Sequence, residues 1–297
     1  MREVMRADGR TLSVREGGDP DGLPVLVYSG TPGSNLLYEP HLRDAEEKAI
    51  RLISYDRPGY GGSMRNRGRT VADCAEDAAA IFDALGIERF CVWGISGGGP
   101  HSLAVAALLP DRVAAAAALA PVAPFDADGL DFYDGMGEQN IQDFRAVLEG
   151  EEAHLAVLER EREELLAATP EQLFRVFETL LGPADREVLN GRIAAFVLAN
   201  ALAGIEGGVD GWFDDDVALT QPWGFEVTSI RVPVLHWQGE QDKFVPVGHG
   251  EWFSKHIPGV ESHLSADDGH ITLAELRIPD VHAWLLERGI NGEHDTN

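Results

Sequence analysis

The sequence has few cysteines, no long apolar run and no apolar start, and each shortage excludes a class of protein. Only Cys74 and Cys91 occur in 297 residues, which excludes the disulfide framework of small secreted domains. The longest apolar stretch, residues 113–123, is too short for a transmembrane helix, which needs about 20 residues. Residues 1–13 carry charges throughout and lack the apolar segment of a signal peptide. We therefore expect a cytoplasmic protein whose thiols are reduced.

Basic residues are also scarce. The chain has 24 lysines and arginines against 50 aspartates and glutamates, a net charge of −26. This charge opposes attraction to phosphate backbones and to anionic lipid. We therefore expect a small-molecule substrate as partner, and neither nucleic acid nor membrane, while the oligomeric state stays open. The apolar fraction of 44% is ordinary for a folded protein, and we expect a flexible segment only at the polar tail, residues 291–297.

The sequence offers no convincing motif for a cofactor or a metal ion. Neither GxGxxG nor the P-loop pattern occurs in a phosphate-binding context. Residues 126–131 resemble a calcium loop, but the glycine stands fourth rather than sixth and no glutamate closes the loop. The acidic run 214–216 is interpreted as a solvated turn or helix start. We therefore expect no cofactor and no metal.

What the sequence does contain is an alternation of short apolar runs with amphipathic segments. The runs cover residues 25–28, 52–55, 90–95 and 113–120. Continuously apolar strands are typical of parallel sheets, because crossover helices cover both faces. The chain on either side of a turn at residues 7–10 suits an antiparallel hairpin at one sheet edge. This pattern predicts an α/β fold.

Helical spacing fills two of the gaps between these strands. Apolar residues from 71 to 85 share one face, with Thr70 as N-cap and Gly86 as the stop. A second helix is predicted to begin just after Ser96 and to continue through Leu108. Both helices would cross over between parallel strands.

Between residues 125 and 225 strand-type runs disappear and helical spacing takes over, with apolar stripes at 173–181 and 189–201 and a charged face at 159–164. We interpret this segment, 125–225, as a helical cap inserted into a core made of 1–124 and 226–290.

Strand character then resumes at 232–237. A helix at 247–256, a short strand near 261–264 and a final helix ending near Leu286 are predicted to complete the core.

The motif with the clearest chemistry is Gly94-Ile95-Ser96-Gly97-Gly98. It lies where a predicted strand ends and a predicted helix begins, as a G-x-S-x-G nucleophile elbow requires. The strained turn lifts the serine hydroxyl above the sheet, and the glycines remove side chains that would collide. Ser96 is the predicted nucleophile.

A serine hydroxyl needs a base to take its proton, and the base needs an acid to orient it. His270 is the predicted base because it follows the last predicted strand. His101 should point into the packing, and His236 lies inside a strand as a core histidine.

Asp242 is the predicted acid because it follows the strand at 232–237, and the order Ser96, Asp242, His270 is that of the α/β-hydrolase arrangement. Glu240 is a nearby rival for this role, and Asp126 is an alternative.

Acyl transfer also needs donors for a developing oxyanion. The elbow places the backbone N–H of Gly97, and the loop after the first apolar run offers the N–H of Thr31.

Taken together, these segments resemble the α/β-hydrolase superfamily. The resemblance rests on SGTPG at 29–33, DRPGYGGS at 56–63, GISGGGP at 94–100 and the loops at Asp242 and His270. It covers nearly the whole chain outside the predicted cap. Members often have histidine before the glycine of the oxyanion loop, where this chain has Ser29. The resemblance implies esterase, peptidase, thioesterase, lactonase or carbon–carbon hydrolase chemistry.

The resulting hypothesis is a serine hydrolase that acts on a small-molecule ester, amide or related carbonyl compound through an acyl-enzyme. One alternative is a proline-iminopeptidase-like enzyme in which Glu138, Glu151 or Glu206 of the cap binds a substrate amine. A different class is a triad-bearing ligand sensor or binding protein.

Overall fold

The computed structural model describes residues 1–291, and within them the chain forms one eight-stranded sheet. The strands are β1 Arg2–Met5, β2 Thr11–Gly18, β3 Leu23–Tyr28, β4 Ile50–Tyr55, β5 Phe90–Ile95, β6 Val113–Leu119, β7 Val234–Gly239 and β8 Glu261–Ser265. Their order across the sheet is β1-β2-β4-β3-β5-β6-β7-β8. The first two strands form an antiparallel hairpin at one edge, and β3 to β8 pair in parallel. The predicted α/β fold and edge hairpin are confirmed.

Helices cover both faces of this sheet. The α-helices of the described residues are α1 Glu39–Glu47, α2 Cys74–Leu85, α3 Gly98–Leu108, α4 Glu138–Glu149, α5 Glu151–Ala167, α6 Leu173–Val176, α7 Pro183–Val188, α8 Gly191–Ile205, α9 Asp210–Thr220, α10 Val247–His256, α11 His270–Thr272 and α12 Ile278–Asn291. Side chains of α2 and α3 pack on one face, and those of α1 and α12 pack on the other. Burial on both faces explains why the central strands are continuously apolar.

The predicted crossover helix after β4 is confirmed with Gly86 as its stop, whereas the predicted N-cap Thr70 begins a 3₁₀ turn and Asp73 is the N-cap of the helix. A 3₁₀ turn, Val71–Asp73, leads into α2. The backbone N–H and the hydroxyl of Thr70 both donate to Asp73 Oδ2, at 2.6 and 2.7 Å. Gly86 ends the helix with a φ of +70°, a left-handed conformation that costs glycine little.

Between β6 and β7, where every residue is described, the chain forms α4 to α9 and no further strand. The two predicted apolar stripes lie within or beside these helices, and most of their residues pack into one cluster together with Tyr38 and Tyr60 from the sheet side. The helical character of this segment is therefore confirmed. The division of the chain into core and cap domains stays a prediction.

The last helix is longer than predicted, since α12 continues to Asn291 rather than ending near Leu286. Gly289 lies against the sheet, where an added Cβ would come within 2.9 Å of Leu23 Cδ1 and 3.3 Å of Cys91 Sγ. The extra turn thus packs closely against β3 and β5. The predicted flexible tail lies outside the described residues, apart from Asn291 itself.

Among residues 1–291, no single helix is both long enough and apolar enough to cross a membrane. Two consecutive helices have the required length and composition only when they are counted together, and they are bent by 97° relative to each other: Gly191–Ile205 and Asp210–Thr220.

Candidate active site

Ser96 lies in the sharp turn between β5 and α3, as predicted. Its φ of +56° is in the left-handed region, which is strained for a residue with a side chain. The neighbouring glycines make the turn possible, because a Cβ on Gly94 would lie 2.2 Å from the Gly98 oxygen and one on Gly98 would lie 2.4 Å from the Ser29 oxygen. The Ser96 N–H donates to the Leu119 oxygen of β6 at 2.9 Å. The turn is thus tied to the neighbouring strand.

His270 begins α11, and its ring meets the predicted acid. Its Nδ1 lies 2.7 Å from Asp242 Oδ2, and both residues are buried. The other carboxylate oxygen, Asp242 Oδ1, accepts the N–H groups of Phe244 and Val245, each at 2.8 Å. With Nδ1–H donating to Asp242, Nε2 is the ring nitrogen left to accept a proton.

The surroundings of His270 favour its charged form. Burial lowers the pKa of the imidazole, but the carboxylates of Asp242 and Asp185 raise it, and the net direction is upward. An imidazolium formed during a reaction would therefore be stabilised where it forms.

Ser96, His270, Thr31 and Gly97 line one cavity of about 240 Å³. Asp242 does not line this cavity itself but is hydrogen-bonded to His270, which does. Most of the wall is apolar and comes from the helices between β6 and β7, including Phe144, Leu165, Val176, Phe177, Leu180 and Phe196. The structure therefore brings the predicted nucleophile, base and oxyanion donors to one cavity.

Thr31 and Gly97 lie next to each other. A Cβ added to Gly97 would come within 2.3 Å of Thr31 Oγ1 and 3.5 Å of the Thr31 backbone nitrogen. Only glycine at position 97 lets the two loops approach so closely. This proximity is what two backbone donors sharing one oxyanion require.

The rival residues lie elsewhere. His101 is buried and its Nδ1 lies 2.8 Å from the Gly97 oxygen, while His236 Nδ1 lies 2.8 Å from Ser262 Oγ. Both are core histidines, as predicted. Glu240 and Asp126, the alternative acids, are exposed.

The prediction that residues 214–216 form a solvated turn or helix start is wrong. All three aspartates lie in α9 and are buried, with exposed fractions of 3%, 0% and 8%. Each has a partner: Arg65 for Asp214, Arg57 and Arg69 for Asp215, and His154 for Asp216. Burial nevertheless outweighs His154 and raises the pKa of Asp216 to about 6. The signal that identifies this burial is the apolar sequence around the run, WF before it and VAL after it.

Asp215 anchors the oxyanion loop, a role that the sequence reading missed. Its Oδ2 accepts the hydroxyl of Thr31 at 2.9 Å and lies 2.5 Å from Arg57 Nη2. Arg57 in turn donates to the carbonyls of Ser29 and Gly30 at 2.6 and 2.9 Å. Burial raises the pKa of Asp215, but Arg57, Arg69 and His101 together lower it further, and the net pKa is well below the ordinary value, so this carboxylate stays ionised.

A second correction concerns the charged face predicted at residues 159–164. Glu159 and Glu163 are exposed, but the Glu161 side chain is only 12% exposed and lines the cavity with Asp143 of α4. Burial, reinforced by the neighbouring Glu161, raises the pKa of Asp143 to about 9. One carboxyl of this pair therefore holds a proton at neutral pH. The face differs from the prediction because α4 covers one side of α5.

The glutamates predicted to bind a substrate amine are not in the cavity. Glu138, Glu151 and Glu206 are all exposed, and Glu151 pairs with Arg67 at 2.8 Å. Among residues 1–291, no three His, Cys, Asp or Glu side chains are grouped so that they would hold a metal ion.

Comparison with known proteins shows the family. Residues 24–275 match the family model described as the alpha/beta hydrolase fold, and the chain therefore belongs to the α/β-hydrolase family. A thermophilic esterase from Thermogutta terrifontis has the same fold, with a TM-score of 0.71, 20% identity, and coverage of 97% of this chain and 98% of that one. The predicted family is confirmed.

Curated relatives carry several activities in their names. The non-heme chloroperoxidase of Streptomyces lividans is 30% identical over 53% of this chain and 58% of its own length. The 3-oxoadipate enol-lactonase 1 of Acinetobacter baylyi is 34% identical over 34% of this chain and 37% of its own length. The bifunctional esterase/perhydrolase of Acinetobacter calcoaceticus is 26% identical over 83% of this chain and 84% of its own length. The first two matches thus span less than two thirds of each relative.

Proposed function

We propose that this chain is a serine hydrolase that cleaves small-molecule esters through an acyl-enzyme on Ser96. The observation that carries the proposal is the cavity shared by Ser96 and His270, with His270 hydrogen-bonded to the buried Asp242. A serine hydroxyl is a weak nucleophile without a base, and this arrangement supplies one together with its orienting acid.

In the proposed reaction His270 takes the Ser96 proton while the hydroxyl oxygen attacks the substrate carbonyl carbon. The oxyanion then accepts the N–H groups of Gly97 and Thr31. The intermediate collapses to the acyl-enzyme, and the imidazolium gives its proton to the departing alcohol. Water, deprotonated by His270, attacks the acyl carbon and releases the acid and the Ser96 hydroxyl.

The cavity wall supports the choice of substrate. The lining is mostly apolar by area, which favours compact acyl groups, although the carboxyl side chains of Asp143, Glu161, Glu164 and Asp216 also reach it. Relatives named as an esterase/perhydrolase and an enol-lactonase support ester and lactone substrates.

The test is labelling of the purified chain with a fluorophosphonate, together with turnover of p-nitrophenyl acetate. We expect one phosphonyl group on Ser96, and loss of both labelling and turnover in Ser96→Ala, whose circular dichroism should match that of the unsubstituted protein. A folded chain that neither labels nor turns over esters would instead support the ligand-sensor class.

An amine-bearing substrate is the second candidate, and one observation favours it. Asp143 and Glu161 place a shared proton and a negative charge in the same cavity as Ser96. This pair, rather than Glu138, Glu151 or Glu206, would receive a substrate ammonium. Faster turnover of prolyl p-nitroanilide than of p-nitrophenyl acetate, lost in Asp143→Asn, would favour the aminopeptidase-like enzyme.

A further inference from the structure

Asp185 of α7 is a fully buried carboxylate that the mechanism above does not use. It faces the start of the helical segment that carries His270. Its Oδ2 accepts the backbone N–H of His270 at 2.9 Å, and its Oδ1 accepts those of Ile271 and Thr272 at 2.7 and 3.1 Å. Helix termini leave such N–H groups unpaired, and here one carboxylate from a distant helix satisfies three of them.

The fit around this carboxylate is tight. A Cβ on Gly269 would lie 2.5 Å from Asp185 Oδ2, so only glycine leaves room for the carboxylate beside the loop. The Gly269 N–H donates to Thr272 Oγ1 at 2.7 Å, which closes the same turn from the other side. The backbone from Gly269 to Thr272 is therefore held along its whole length.

Asp185 also acts on the charge of His270. Two carboxylates contribute to the imidazole's electrostatic surroundings, Asp242 from the loop after β7 and Asp185 from α7, and both raise its pKa against the effect of burial. The aromatic ring of Phe244 stacks on the imidazole with centroids 4.6 Å apart. Asp242 bonds the ring directly, whereas Asp185 bonds only the backbone of the same residue.

We propose that Asp185 is a positioning residue for His270. Through three backbone hydrogen bonds it fixes the place of the imidazole between Asp242 and the cavity, and its negative charge stabilises the imidazolium. The proposal rests on the proposed serine hydrolase function. It makes the segment between β6 and β7 part of the catalytic support rather than only a cover for substrate.

The test uses Asp185→Asn, which removes the charge and keeps the shape. With p-nitrophenyl acetate, kcat should fall about 10- to 100-fold, because small displacements of a base are costly. KM should change less than about threefold, since the lost interaction acts on the transition state. The acidic limb of the kcat/KM profile should move to lower pH, because a negative charge near the imidazole is gone.

Glu187→Gln is the matched control, an exposed acid on the same helix, and it should leave kcat and the acidic limb unchanged. A merely structural role for Asp185 would lower the melting temperature without moving the acidic limb of the remaining activity. That result, or unsubstituted kinetics in Asp185→Asn, would overturn the proposal.

If Asp185→Asn does not fold, Asp185→Ser supplies a neutral hydroxyl one bond closer to the α7 backbone and, because the charge is likewise removed, should show the same shift of the acidic limb. If neither variant folds, the Asp185 carboxylate is needed for folding itself, and the proposal is overturned. The two levels are separable, because an unsubstituted chain that fails to label with fluorophosphonate contradicts the hydrolase function before Asp185 is tested.

Discussion

The sheet core and the helical segment between β6 and β7 differ in how well the sequence predicts the surroundings of their acidic residues. In the core, Asp242 follows a strand end, and its neighbourhood is set by the edge of a parallel sheet. In the helical segment, Asp185 and Asp215 look like other acids of a highly acidic chain, yet both are fully buried against loops of the core. Burial there depends on partners far away in sequence: Arg57 for Asp215, and the His270 backbone for Asp185. In this chain, a position just after a strand thus predicts the role of an acidic residue better than a position within a helix does.

The largest change in activity is expected when the two acids of the loop after β7, Asp242 and Glu240, are substituted in turn. Asp242→Asn should lower kcat/KM for p-nitrophenyl acetate about 10⁴-fold, because an asparagine favours the wrong histidine tautomer. Glu240→Gln, the exposed rival, should leave kcat/KM within about threefold of the unsubstituted value. Steady-state kinetics on both variants measure this difference. Equal losses in the two would break the assignment of Asp242 as the orienting acid.

The same comparison within α9 concerns stability. Asp215→Asn should lower the free energy of unfolding by about 3–5 kcal/mol, since it leaves buried Arg57 and Arg69 without their counter-ion. Asp210→Asn on the same helix, whose carboxylate is 58% exposed, should cost about 1 kcal/mol or less. Urea unfolding measures both. A small loss in Asp215→Asn would mean that solvent reaches the Arg57 network.

A smaller effect of opposite sign is expected at Asp143. Its pKa of about 9 in the folded chain exceeds the value of about 4 expected for an unfolded aspartate. Between those pH values the unfolded state releases a proton that the folded state keeps, so the free energy of unfolding falls as pH rises. Asp143→Asn removes this loss and should add about 0.5–2 kcal/mol at pH 8.

The control for Asp143 is Glu163→Gln, an exposed acid of α5, which should be neutral at the same pH. Thermal melts at pH 5 and pH 8 measure the effect, and the gain in Asp143→Asn should be larger at pH 8. A gain independent of pH would contradict a shared proton between Asp143 and Glu161.

Much of the fold was predictable from the sequence because its signals are local. The apolar run at 90–95, the glycines around Ser96 and the stop at Gly86 each carry enough information within a few residues to define an element. The residues of the proposed site share that property, since each follows a predicted strand.

The supporting residues were not predictable for the opposite reason. The contacts of Asp185 and Asp215 are recognisable only when the partner loop is known. Three adjacent carboxylates at 214–216 predict a solvated run, because carboxylates are rarely buried together, although the apolar residues on either side indicate burial. Residues 159–164 likewise predict a charged face that includes Glu161, and periodicity within α5 cannot show that α4 covers one side of it. Each of these errors is a tertiary contact that overrides a local pattern.

If His270 activates Ser96, the rate at which a fluorophosphonate phosphonylates Ser96 should depend on the protonation of His270, and peptide mass spectrometry can follow this rate against pH. We expect a label on Ser96 whose rate rises with pH as His270 loses its proton, with a midpoint above the ordinary histidine value of about 6.5. A label on another residue, or a rate on Ser96 that does not change with pH through this range, would contradict the activation of Ser96 by His270.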